Sequence, residues 1–96
     1  MANRYLGRFR EISVTEVSGI ISRILDDHSA WAEGHPDKLL DCRDFLANVC
    51  LTLSIPVVET AYALYVLRDE LLAQRGSPRD VSTFFERLVL ELMRRY

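Results

Sequence analysis

Lysine is nearly missing from this chain: Lys38 is the only one, and the rest of the basic charge is arginine. Acidic residues outnumber basic ones by 14 to 12, so the net charge of −2 offers no broad field to a nucleic acid or a membrane surface. Cysteine is scarce as well. Cys42 and Cys50 are too few for a disulfide framework, and inside a helical pattern they read as reduced, buried thiols of an intracellular protein. No apolar run approaches the roughly 18–20 residues of a membrane span. The amino end lacks the apolar core and cleavage site of a signal peptide. Strand-like alternation, internal repeats and low-complexity tracts are missing. So are a glycine-rich phosphate loop and the HExxH and CxxC patterns.

What remains is helical periodicity. With 49% hydrophobic and 27% charged residues, 96 residues make one globular domain rather than a disordered chain. Residues 1–12 form a basic arm or short helix, and 13–96 form a single helical domain. In the arm, Arg4, Arg8 and Arg10 face Glu11 alone, with Tyr5, Leu6, Phe9 and Ile12 interleaved. Such an arm can touch nucleic acid. Three arginines are a small footprint, however, and the simpler reading has Leu6, Phe9 and Ile12 clipping the arm to the domain.

The pattern predicts an all-α bundle of four main helices, at about 13–33, 37–53, 55–75 and 78–95. Ser13 and Glu16 fit a capping box for the first. Val14, Val17, Ile21, Ile24, His28 and Trp31 form its stripe, and Glu16, Arg23, Asp26 and Asp27 lie opposite. Gly34-His35-Pro36 ends it. The second carries Leu39, Cys42, Leu46, Val49 and Leu53, widened by Leu40, Phe45 and Cys50. The third has Ser54 as N-cap, Pro56 in its first turn, and Arg75 and Gly76 as stop signals. The fourth opens with Ser77 as cap, Pro78 in first place and Asp80 in the first turn. Its face is Val81, Phe84, Phe85, Leu88, Val89, Leu92, Met93 and Tyr96.

Ala61 to Leu67 are seven consecutive residues without charge, and at 100° per residue they wrap the cylinder. That predicts a third helix buried on several sides, with the others around it. The expected core is Val17, Ile21, Ile24, Trp31, Phe45, Leu46, Val49, Ala61, Leu64, Tyr65, Phe85, Leu88 and Leu92. On this reading Tyr65→Asp unfolds the domain. Short loops predict that sequential helices lie side by side.

Chemistry is harder to find. His28 and His35 lie near Asp26, Asp27, Glu33 and Asp37, but His28 belongs to the apolar stripe and the aspartates point elsewhere, so a metal site is not expected. The surroundings of His28, DDHSAW, lack the features of a phosphoacceptor histidine. Cys42 and Cys50 have no adjacent base that would make either a nucleophile. Asp26-Asp27 and Asp69-Glu70 lie on faces that look solvated. The chain therefore reads as a protein that is not an enzyme and takes no cofactor. Val66 and Leu90 lie opposite the main stripes of their helices. Either they are ordinary exposed aliphatics or they form an apolar patch for a partner.

Two resemblances bear on the partner. DFLANVCLTLSIPVVETAYALYVLRDELL resembles the second and third helices of a cyclin box, most of all the fungal phosphate-regulator class of cyclins. Phe45, Pro56 and Ala63-Leu64-Tyr65-Val66-Leu67-Arg68 carry the likeness; RFREISVTEVSGII and STFFERLVLEL extend it. Glu91 and Arg94 stand where that class has an alanine–lysine pair, and its fifth helix has no counterpart. The resemblance implies a regulatory subunit that presents Arg68 and its neighbours to a protein kinase. The candidate partner surface is thus Val66, Arg68, Leu90 and Arg94. SIPVVETAYALYVLRDELL is also similar to the N-terminal helical domain of RsbT co-antagonist proteins and some bacterial histidine kinases. That likeness implies a sensory or dimerisation input domain that forms a homodimer.

Overall fold

Ser13 starts the first helix by accepting a hydrogen bond on its Oγ from the Glu16 amide at 3.1 Å. The computed structural model describes residues 11–74 and 80–95. Four helices follow one another: α1 (Val14–Ala32), α2 (Asp37–Leu53), α3 (Val57–Ala73) and α4 (Val81–Arg95). The protein is an all-α four-helix bundle, as the periodicity predicts, with no strand among the described residues.

The turns explain the helix ends. After α1 the His35 amide donates to the Ala30 carbonyl and the Gly34 amide to that of Trp31, each at 3.1 Å. These two bonds define a Schellman stop, and Gly34 takes the left-handed place at φ 110°. After α2 the same role falls to Ser54, at φ 55°, and the Ile55 amide donates to Cys50 at 2.9 Å. Ser54 therefore ends α2 instead of capping α3, which opens three residues later behind Pro56. Asp80, also left-handed at φ 65°, precedes α4 and is not in its first turn. Arg75, Gly76, Ser77 and Pro78 lie outside the described residues, as do Arg4, Tyr5, Leu6, Arg8, Phe9, Arg10 and Tyr96.

The most deeply buried helix is α4, not α3. Phe84, Phe85, Leu88 and Leu92 are wholly buried and Val81 and Val89 nearly so. α1 packs on α2, α2 on α4, and α4 on α3; α2 and α3, adjacent in sequence, meet only slightly. The side-by-side expectation thus fails at that one junction, where α4 lies between its neighbours.

α3 is peripheral. Its buried side is limited to Thr60, Ala61 and Leu64, while Tyr65, expected in the core, is 38% exposed. The reason lies in the side chains. The inner face of α3 is small, and Tyr62 and Tyr65 carry polar hydroxyls, whereas the phenylalanines of α4 carry none and gain most from burial. Ile24, Leu46, Val49, Ala61, Leu64, Phe85, Leu88 and Leu92 are buried as expected. Trp31 and Phe45 are half-buried against the core, and Val17 and Ile21 are half-exposed.

Candidate functional site

α1 is amphipathic along its whole length, but only its second half enters the core. Ile24, Asp27 and His28 are buried; Val17, Ile20 and Ile21 are not fully covered. Opposite them, α3 presents Ala63, Leu64, Val66 and Leu67. α1 and α3 do not close on each other, and the gap is an open apolar groove of about 300 Å³ floored by Leu46. Its polar lining is Thr60 and Glu70. The Thr60 hydroxyl is engaged already, 3.1 Å from Cys50 Sγ and 3.4 Å from the Pro56 carbonyl oxygen it donates to. Glu70 is exposed at the rim. A groove built this way binds apolar side chains or an aliphatic ligand.

The four candidate partner residues do not converge. Val66 lines the groove. Arg68 sits on the opposite flank of α3, where Nη2 pairs with Asp69 Oδ1 at 2.9 Å and Nη1 reaches Glu86 on α4 at 3.9 Å. Its guanidinium also stacks 4.9 Å from the centre of the Tyr65 ring. Leu90 is exposed on the outer side of α4, and Arg94 there pairs with Glu91 at 3.4 Å. Glu91 in turn holds Arg43 of α2 at 3.5 Å. Arg68 and Glu91 thus tie helices together. Leu90 stands apart from the groove.

A second cluster is buried in the α1–α2 seam. Asp27, expected on a solvated face, is only 5% exposed. Arg23 Nε donates to its Oδ2 at 2.9 Å, and the guanidinium lies 4.7 Å from the centre of the Phe45 ring. The long arginine side chain is what lets the carboxylate sit inside, because its charge stays paired. Cys42 shares this seam. Burial, and then the Asp27 carboxylate, push its thiol up to about 12, against the opposing effect of Arg23. Cys50 is also raised by burial, opposed by its hydrogen bond with Thr60. Thiols held protonated are poor nucleophiles and poor metal ligands. His28 is packed against Phe84 at 5.1 Å and near Trp31 and Phe85, each 6.4 Å between ring centres. Among the described residues no group of three or more His, Cys, Asp or Glu is placed to hold a metal, and no helix is long and apolar enough to cross a membrane.

The groove was missed in the sequence because Val17 and Ile21 carry the same periodicity as truly buried residues. The signal that could have shown it is the surplus of apolar residues around α3, more than one packing face can use. Compared with known proteins, the chain matches no family model, no curated protein and no solved structure. The class of protein is defined by its architecture: a four-helix all-α domain with an open apolar groove between α1 and α3.

Proposed function

We propose that this protein is a non-catalytic regulatory module that works inside the cell by protein–protein contact. The observation that carries the reading is the groove between α1 and α3, apolar on both walls with Glu70 at its rim. An amphipathic helix of a partner suits it, laying side chains at i, i+3 and i+4 between the two walls. Free, buried thiols fit a reducing compartment. The resemblance to the cyclin box supplies a protein kinase as the partner class. The resemblance to bacterial input domains supplies a homodimer instead, and the exposed aromatic face of α3 favours keeping that second reading.

A displayed library of amphipathic helical peptides tests the groove. Wild-type protein should select binders, and Ala63→Trp, which fills the gap from a half-buried position, should weaken them at least about tenfold while leaving the fold intact. Binders indifferent to Ala63→Trp, or none at all, would sink the groove reading. The kinase reading predicts in addition that a partner kinase changes its activity when the chain is added.

A further inference from the structure

We infer that the outer face of α3 docks antiparallel on the same face of a second copy of this chain. The inference rests on the reading of the protein as an interaction module but uses a different surface from the groove. Val58, Tyr62, Tyr65 and Leu72 are 66%, 36%, 38% and 44% exposed. With Asp69 they step along the helix at intervals of four, three, four and three, and so fall on one narrow stripe. A helix face meant only for water is polar. This one is apolar and aromatic at the spacing that meets another helix along its length.

The spacing of the stripe selects a second copy as the occupant. Tyr65 lies seven residues from both Val58 and Leu72. A two-fold axis at Tyr65, perpendicular to the helix, therefore brings the Val58 end of one copy to the Leu72 end of the other, apolar against apolar. Such self-matching is what an isologous interface requires. Charge then sets the direction. Asp69 is the one charged residue of the stripe, with Arg68 beside it at 2.9 Å. A parallel pair would set Asp69 against Asp69, a like-charge contact. An antiparallel pair turns each Asp69 toward the Tyr62 half of the other helix, where the stripe carries no charge. The seam from Val58 to Leu72 is about 21 Å long. One such helix per subunit lies at the small end of specific interfaces, so a dissociation constant of roughly micromolar or weaker is expected.

Sedimentation of the full chain from about 1 µM to about 1 mM tests this. A reversible monomer–dimer equilibrium is expected. Tyr65→Glu should raise its dissociation constant roughly thirtyfold or more with an unchanged circular dichroism spectrum. If that variant does not fold, Val58→Glu, at a more exposed position, carries the same test. Cysteine cross-linking gives the direction, since Cys42 and Cys50 are buried and stay silent. Tyr65→Cys sits at the axis and should cross-link readily. Asp69→Cys is four residues from it, which separates the two sulfurs by about 12 Å along the seam, beyond disulfide reach. A chain still monomeric at the highest concentration overturns the inference, as does a dimer indifferent to Tyr65→Glu and Val58→Glu. Faster cross-linking of Asp69→Cys than of Tyr65→Cys overturns the antiparallel arrangement. None of these outcomes bears on the groove, which the Ala63→Trp experiment tests separately.

Discussion

Cys42 shows how a single residue reports its surroundings. Its thiol is wholly buried beside the Asp27 carboxylate, and deprotonating it would set two negative charges together in the seam. The folded protein therefore holds that proton more tightly than the unfolded chain does, with a value of about 12 against the ordinary 9.0. Stability from this source is complete below pH 9 and is lost as pH rises toward 12, because only the unfolded chain releases the proton in that window. The rise from 9.0 to about 12 corresponds to about 4 kcal/mol by the alkaline end. Urea midpoints of the wild type and Cys42→Ala, followed from pH 8 to pH 11, should converge as pH rises above 9. A constant difference between them would contradict the burial of the thiol beside Asp27. Asp27 itself was misread from the sequence as solvated, since nothing local says that Arg23 will fold over it.

At the scale of the element, two helix ends make opposite predictions. Ser13→Ala removes the acceptor for the Glu16 amide and should cost about 1 kcal/mol in denaturant stability. Ser54→Gly should do the reverse. Ser54 sits at φ 55°, where a Cβ is strained, and glycine relieves it, so a gain of about 0.5–1 kcal/mol is expected despite the greater freedom of the unfolded chain. A loss on Ser54→Gly would mean that the α2 stop is not left-handed. Gly34 already has the suitable residue for its turn. Serine before proline looks like an N-cap from sequence alone, and the same residue type can end one helix or open the next. Here the Ile55 amide closes on Cys50, and that assigns Ser54 to α2.

At the scale of the whole molecule, the question is which helix is buried deepest. Phe85→Asp on α4 should unfold the domain, because it puts a carboxylate in the fully buried core among Phe84, Leu88 and Leu92. Tyr65→Asp on α3 should stay folded, reversing the expectation drawn from the uncharged run Ala61–Leu67. Thermal melts of the two variants settle it, and an unfolded Tyr65→Asp would restore α3 to the centre. The same arrangement leaves the groove: α2 packs on both α1 and α4, α3 packs on α4, and α1 and α3 are left apart.

The sequence by itself determined that there are four helices, roughly where each begins and ends, and most of the core of α2 and α4. Caps, prolines, glycines and the 3.6-residue period act within a few residues, so they are legible locally. Val66 was singled out there as a partner residue, but its groove was not visible. Only the tertiary structure decided that α4 is the most deeply buried helix and α3 peripheral. Periodicity records how much apolar surface a helix offers, whereas burial depends on which neighbours reach it. α3 offers apolar surface all round, and packing on α4 covers one side only. The fully buried phenylalanines of α4, with no hydroxyl to satisfy, decide which helix goes inside.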